Sequence, residues 1–591
     1  MSARQLITEH LDLWTGAVTK KSSSGRGSNG KVELTGVKRL RELILELAVR
    51  GRLVHQDQNE EPAALLAGKI ATEKAALMQA GAIKKSPKLP EISPDEIPFD
   101  IPNGWHWIRL GELVKKIGSG ATPRGGKNAY VQSGIPFLRS QNIWNDGLNL
   151  QDVAYIPPET HERMANTHVF PNDILLNITG ASLGRCTVVP TELEMANVSQ
   201  HVTIIRTIDP LNRSYLHYLI LSPYVQSLVW GRQVGMAREG LSKKVLEQFE
   251  IPLPPLEEQH RIVQKVDELM ALCDRLEQQT SDQLEAHETL VDTLLGTLTQ
   301  SENATELADN WARLAAHFDT LFTTEQSIDK LKQTILQLAV MGRLVEQDVG
   351  DESGANLLTQ IYTRKTALAD DKKIKRPRPL TQLDDIQHSY PAPAHWAWAS
   401  FEDIADEIST GPFGSMIHKH DYVENGIPLV NPSHMANGEI KEDSSVSVTT
   451  AKAGELSSYK VANGDIVMAR RGEVGRCAIV TDRESGWICG TGSFVLRFHP
   501  AINRRFILLL FSTDTVRDYL TGNSVGTTMT NLNHSILKKM PVALPSTEEQ
   551  HRIVQKVDEL IALCGQLKQR LNHASETRNQ LAEAVVEGTL N

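Results

Sequence analysis

The stretch EEQHRIVQKVDELMALC, Glu257 to Cys273, returns as EEQHRIVQKVDELIALC, Glu548 to Cys564, with only Met270 and Ile561 differing. Chance does not repeat so long a string, so the chain carries an internal duplication, and a long-period repeat must be read before anything else. Working outward, ILELAVRGRLVHQD (Ile44 to Asp57) matches ILQLAVMGRLVEQD (Ile335 to Asp348), and Trp105-His106-Trp107 matches Trp396-Ala397-Trp398, all at the same interval. Between these landmarks the match thins without vanishing. GIPFLRSQNI (Gly134 to Ile143) faces GIPLVNPSHM (Gly426 to Met435), and LGRCTVV (Leu183 to Val189) faces VGRCAIV (Val474 to Val480). Each half has near-identical ends and a divergent middle, so the middles are expected to do different jobs.

The repeated stretch itself reads as a long helix. Pro254-Pro255 precedes the first copy, and Pro is favoured where a helix begins. Ser546 with Glu549 three residues later forms a capping-box pattern before the second. Apolar residues then alternate at spacings of four and three: Ile262, Val266, Leu269, Cys273 and Leu276, matched by Ile553, Val557, Leu560, Cys564, Leu567 and Leu571. That is a coiled-coil seam, and two near-identical seams can pack together. About 40 residues at 1.5 Å each give a rod of roughly 60 Å. Upstream, Leu40, Ile44 and Leu47, like Leu331, Ile335 and Leu338, have the spacing of a shorter helix. Proline-rich connectors follow, with Pro87, Pro90, Pro94, Pro98 and Pro102 in one half and Pro377, Pro379, Pro391 and Pro393 in the other, which favours extended backbone. The middles hold short β-rich runs such as DILLNI and DIVMAR among glycine turns. Lys20 to Lys31 is poor in apolar residues and reads as mobile.

A chain of 591 residues accommodates about three or four domains of roughly 100–200 residues. No apolar run approaches the ~18 residues of a membrane span. Met1 to His10 lacks a signal-peptide core, which points to the cytoplasm. The cysteines Cys186, Cys273, Cys477, Cys489 and Cys564 form no C-x-x-C pair, against a structural zinc site and in keeping with a reducing compartment. The net charge of −10 does not favour nucleic acid as a partner, but acidic helices can carry that charge while other faces remain basic.

Catalytic patterns fail one by one. Glu257-x-x-His260 and Glu548-x-x-His551 have the spacing of di-iron ligands, yet both sit in a first helical turn and the companion carboxylate helices are missing, so they read as capping charges. Gly120 to Asn128 resembles a phosphate loop but is one residue too long, with Asn128 where Ser or Thr is required. Asn431-Pro432-Ser433-His434 faintly resembles an amino-methyltransferase motif but lacks a companion glycine-rich loop. No metal site and no triad can be nominated. What remains are polar clusters in the two middles, of the residue types that contact base edges and phosphates. In the first they are Arg124, Lys127, Arg139, Ser140, Gln141, Asn142, Asn177, Thr179, Gln200, His201, Arg238, Lys243 and Lys244. In the second they are Lys419, Asn431, Ser433, His434, Arg470, Arg471, Thr491, Ser493, Thr527, Thr528 and Asn531.

From about residue 38 onward the sequence resembles the specificity subunits of Type I restriction–modification enzymes. The resemblance is carried by IPLPPLEEQHRIV (251–263) and LPSTEEQHRIV (544–554), which look like the boundary between a target-recognition domain and its spacer helix. GSGATP (118–123), GIPF (134–137) and TGPFG (410–414) look like recognition-domain entries. The N-terminal segment, with its helix repeated at 329–348, resembles the Type IB branch. The resemblance implies an α+β chain: two target-recognition domains of mixed β-rich fold, separated by an antiparallel pair of long coiled-coil helices in a pseudo-two-fold tandem repeat. The expected divisions are 1–100 (conserved helical region and linker), 101–255 (first recognition domain), 256–300 (first spacer helix), 301–394 (central helical region and linker), 395–546 (second recognition domain) and 547–591 (second spacer helix). It also implies a non-catalytic subunit that reads a bipartite, asymmetric target in double-stranded DNA. The implied partners are two modification subunits and two restriction subunits, with no membrane. Cofactors are expected only on those partners: S-adenosylmethionine on the first kind, ATP and Mg on the second. The alternatives are a specificity subunit of a Type IIB-like or fused methyltransferase–nuclease, or a single-chain DNA-modifying enzyme.

Overall fold

The computed structural model describes residues 9–590 apart from 21–31, 85–86, 233–239, 303, 373, 381–389 and 523–531. The stretch from Lys20 to Lys31, read above as mobile, lies outside the described residues except at Lys20. The chain divides into two compact units, Met1–Gln283 with Ala574–Asn591, and Leu284–His573. Six helices organise them: α1 (Thr35–Val49), α2 (Ala63–Gln79), α3 (Leu256–Gln300), α4 (Glu325–Val340), α5 (Gly354–Asp370) and α6 (Thr547–Leu590). Among the described residues no helix is long and apolar enough to cross a membrane.

In the first unit the strands are β1 (His106–Arg109), β2 (Val114–Ser119), β3 (Ile135–Leu138), β4 (Ala154–Ile156), β5 (His168–Val169), β6 (Ile174–Asn177), β7 (Cys186–Val188), β8 (Ala196–Val198), β9 (Val202–Thr207) and β10 (Glu250–Leu253). One antiparallel sheet has the order β7-β6-β9-β2, and a second has the order β4-β3-β8-β5, with β3 and β8 parallel. β1 pairs with β10, Ile108 opposite Ile251, so the entry and exit of the sheet domain are bound together. β6 is buried along its whole length, which explains why DILLNI reads as a continuous apolar stretch rather than an alternating one.

The second unit repeats this plan. Its strands are β11 (Ala397–Ser400), β12 (Ala405–Thr410), β13 (Tyr422–Val423), β14 (Ile427–Val430), β15 (Ser447–Val448), β16 (Ile466–Ala469), β17 (Cys477–Ile479), β18 (Ile488–Cys489), β19 (Ser493–Phe498) and β20 (Pro541–Leu544). The sheet orders are β12-β19-β16-β17 and β13-β15-β14-β18, with β14 and β18 parallel and β11 paired to β20.

Packing explains which repeated residues had to stay. In the first unit Ile262, Val266, Leu269 and Cys273 of α3 are buried in one core with Leu40, Ile44 and Leu47 of α1. Ala582 shares that core, and Val585, Val586 and Leu590, also from the tail of α6, pack against it. In the second unit Ile553, Val557 and Cys564 of α6 are buried with Leu331, Ile335 and Leu338 of α4 and with Val291, Leu295 and Leu298 from the end of α3. Within each unit the beginning of one long helix therefore meets the end of the other, as in an antiparallel pair. The two seams lie in separate cores, each against the tail of the other helix and against its own unit. At roughly 1.5–3 kcal/mol for each large apolar side chain fully buried, these contacts dominate the local energetics.

The Gly-Arg pair inside the shorter repeat has a physical reason as well. Gly51 and Gly342 end α1 and α4 with φ of 68° and 69°, in the left-handed region. The amides of Arg52 and Arg343 donate back to Leu47 and Leu338 at 2.9 Å, which closes each helix with a Schellman turn. Each arginine then donates to the last carbonyls of a long helix. Arg52 reaches Leu590 O at 2.9 Å within the first unit, and Arg343 reaches Thr299 O at 2.9 Å and Ser301 O at 2.8 Å within the second. A cation there also meets the negative end of the helix dipole.

Two expectations need correction. The first connector is not wholly extended, since Pro94–Glu96 forms a 3-10 turn, and ahead of the prolines each half carries a further helix, α2 and α5, that the apolar spacing did not announce. Each plugs a buried lysine onto its sheet domain: Lys74 donates to Gly111 O, and Lys365 to Glu402 O at 2.6 Å. The capping box at α6 is only half formed. Ser546 Oγ accepts from the Glu549 amide at 3.0 Å, but the Glu549 carboxylate turns inward instead of back to Ser546. It accepts from Trp396 Nε1 at 2.9 Å and from Gln347 Nε2 at 2.5 Å. Glu258 does the same for Trp105 Nε1 at 2.9 Å.

Candidate nucleic-acid interface

The divergent side chains sit on a frame of backbone hydrogen bonds that recurs bond for bond. In the first unit Ile178 N donates to His201 O at 3.0 Å, and Leu241 N donates to Ile178 O at 3.0 Å. In the second Arg470 N donates to Gly492 O at 2.9 Å, and Leu532 N donates to Arg470 O at 2.8 Å. Gly120 N to Val202 O (3.0 Å) and Ser199 N to Leu138 O (2.9 Å) are matched by Gly411 N to Ser493 O (2.9 Å) and Gly490 N to Val430 O (2.9 Å). These bonds draw the loops after β2, β3, β6 and β8, and after β12, β14, β16 and β18, into one cluster at one end of each sheet domain.

On this frame the first unit carries neutral polar groups. Thr122 Oγ1 donates to Gln200 Oε1. The Gln200 amide lies 3.0 Å from His201 Nε2, and His201 Nδ1 lies 2.7 Å from Thr179 Oγ1. An amide NH2 can only donate, so His201 Nε2 accepts and Nδ1–H donates to Thr179. The Thr179 hydroxyl hydrogen is then not used in this contact. Beside them Arg185 stacks on Trp144, its guanidinium carbon 3.9 Å from the ring centroid. That indole is 42% exposed. The second unit instead presents Arg470 and Arg471, with Phe413 at 68% exposure in the place Thr122 takes in the first.

Several sequence candidates hold the frame and leave the reading set. Asn142 is buried, accepts from the Arg139 amide at 2.9 Å and donates to Asn149 O at 2.9 Å. His434 fills the equivalent turn, buried, with Nδ1 3.0 Å from Leu429 O. Asn177 is fully buried and donates to Ser140 O at 2.9 Å, and Ser493 is fully buried in β19. Asn142 and His434 are sealed because the turns they close need their polar atoms, whereas Ser493 Oγ and Asn177 Oδ1 are buried without a hydrogen-bond partner. Arg139 is half-buried and donates to Asp152 O at 3.0 Å. Ser140, Asn431 and Thr491 are half-buried beside it or on the matching loops, and Gln141 and Ser433 are exposed. Arg124, Lys243, Lys244 and Lys419 are exposed, with Lys243 3.4 Å from Glu247. Lys127 lies in the turn Gly126–Ala129. Arg238, Thr527, Thr528 and Asn531 lie outside the described residues.

The model of the Type I restriction modification DNA specificity domain matches residues 102–286 and 402–574, which contain the two loop clusters. Over the full length of both chains the sequence is 36% identical to the EcoEI specificity subunit and 36% identical to the EcoAI specificity subunit, both Type I restriction enzyme components of Escherichia coli. The chain belongs to the Type I specificity-subunit family. Among solved structures it is similar to a chain of a type I R-M system (TM-score 0.46, 18% identity, covering 84% of this chain and 99% of that one). It is also similar to the HsdS subunit of Thermoanaerobacter tengcongensis (TM-score 0.37, 16% identity, covering 83% and 97%).

A specificity subunit is a non-catalytic recognition component, with catalysis on partner subunits. One pattern that the sequence reading passes over agrees with this. Gly180-Ala181-Ser182-Leu183-Gly184 has the letters of a nucleophile elbow. Here it forms a tight turn between the antiparallel strands β6 and β7, not the strand-to-helix turn that exposes a nucleophile. The reading also missed Thr122, Trp144, Arg185, Phe413 and His534. Trp144 and Arg185 stand apart in sequence, and the fold brings them together where Cys186 N donates to Asn145 Oδ1 at 3.1 Å.

Proposed function

We infer that the chain is the DNA-reading subunit of a Type I restriction–modification complex, in which each sheet domain reads one half of a bipartite, asymmetric target. The carrying observation is the shared frame: the same backbone bonds present Thr122, Thr179, Gln200 and His201 in one unit and Phe413, Arg470, Arg471 and Thr491 in the other. A scaffold held constant while its displayed side chains change is what two unlike half-sites require. Residues 101–255 and 395–546 serve as the recognition domains, and the helices at 256–300 and 547–591 as spacers between them. The exposed basic residues Arg124, Lys243, Lys244 and Lys419 position the phosphates, and the loop-cluster residues meet base edges. Two modification subunits carrying S-adenosylmethionine dock on this chain, and two restriction subunits supply ATP and Mg chemistry, in the cytoplasm. The test is to map methylated positions genome-wide in cells holding the modification subunit with and without this chain. A bipartite target that appears only with the chain supports the reading, and methylation independent of it overturns the reading.

A further inference from the structure

The second loop cluster forms an open cleft of about 710 Å³ lined by Ser409, Thr410, Phe413, Arg470, Asn533 and His534. Arg470 enters it from the end of β16, its backbone tied on both sides by the frame bonds to Gly492 and Leu532. Its guanidinium lies over the buried Phe494 ring, 5.4 Å from the centroid. His534 stacks on the same ring and lies 2.9 Å from Ile408 O through Nε2. A carbonyl can only accept, so Nε2 carries the hydrogen of this contact.

Arg470 is a cation without an anion. Its Nε is buried without a hydrogen-bond partner, and among the described residues it makes no ion pair. The adjoining stretch 523–531 has no acidic residue in its sequence. Burial, and then the like charge of Arg471, pull the guanidinium below its ordinary pKa. A half-buried arginine fork resting over an aromatic ring is restricted in direction, and what it lacks is a pair of acceptors. Arg471, exposed beside it, is free to follow a phosphate.

Resting on the DNA-reading function above, we propose that Arg470 is the guanine-specifying residue of the second half-site, its fork taking O6 and N7 of one guanine in the major groove. Arg471 contacts the backbone without reading sequence. The two arginines thus divide the work, and exchanging either has a different signature.

The experiment uses the full chain with its modification subunits and a duplex carrying the target mapped for the wild type. Arg470→Ala should lose about 5- to 150-fold in affinity for that duplex and cease to discriminate at one G·C pair of the second half-site, with the first half-site read as before. Replacing that guanine by 7-deazaguanine, which removes only N7, should weaken the wild type and leave Arg470→Ala unmoved. This arm needs no altered protein to fold. Arg470→Lys should keep the charge and still lose the discrimination. Arg471→Ala should weaken all sequences alike and lower the salt slope by about 1. Uniform weakening by Arg470→Ala, or a second half-site whose guanines all tolerate 7-deaza substitution, would overturn the assignment while leaving the DNA-reading function standing. A wild-type complex with no sequence preference would overturn both.

Discussion

Glu258 offers a test of how the spacer helix is seated. Its carboxylate is 1% exposed and accepts from the Trp105 indole at 2.9 Å. Its second oxygen, Oε1, is buried without a partner, and so is Oε1 of the neighbouring Gln56. Burial raises the Glu258 pKa above 4.5, opposed by the hydrogen bond from Trp105. Because the folded value lies above the unfolded one, the stability this group supplies is complete below about pH 4.5 and is lost as pH rises through the folded value. Glu258→Gln keeps an oxygen for the indole and adds an N–H that can reach Gln56 Oε1. Satisfying two orphan acceptors with one bond should gain about 1–2 kcal/mol at pH 7 and nothing at pH 4. Glu258→Ala instead strands the indole N–H and should cost about 1–3 kcal/mol. At about 2–4 °C per kcal/mol for a domain of 150–250 residues, the two variants should move the melting temperature in opposite directions at pH 7. Thermal unfolding followed by circular dichroism from pH 4 to pH 8 reads this out. If Glu258→Gln falls as far as Glu258→Ala at pH 7, the carboxylate is needed as a charge and the reasoning fails.

Other consequences are as direct. Gly51→Ala, at φ 68° with its new Cβ 2.4 Å from Pro102 Cγ, should destabilise by more than about 1 kcal/mol. Gly68→Ala, in the interior of α2 with open space around it, should stabilise by up to about 1 kcal/mol in chemical denaturation. Leu269→Ala, at 1% exposure in the seam, should cost about 3–5 kcal/mol by urea titration. Replacing residues 105–250 by the first middle of another family member should change one half-site in methylation maps and leave the other intact. A change in both would end the modular reading.

The sequence by itself determined the duplication and the two long helices with their seams; it carries the letters of a nucleophile elbow at 180–184, and only the fold shows them to be a strand-to-strand turn. Apolar spacing and literal repetition are local properties, and a seam that must be buried keeps its residues wherever it lies. It also reached the loops that display the variable side chains, because a strand ending in Gly and Asn is legible in one dimension. Only the tertiary structure decided what each seam packs against. Ile262 and Ile553 look interchangeable, yet each lies in its own unit beside the tail of the other helix. It alone separated Asn142, Asn177 and His434, which are buried, from Thr179 and Arg470, which remain half-exposed at the loop clusters, although all five are polar residues near strand ends. The physical reason is that a polar side chain is spent or spared according to which backbone groups come within 3 Å of it. That proximity is set by strands far apart in the chain, such as β6 against β9 and β16 against β19.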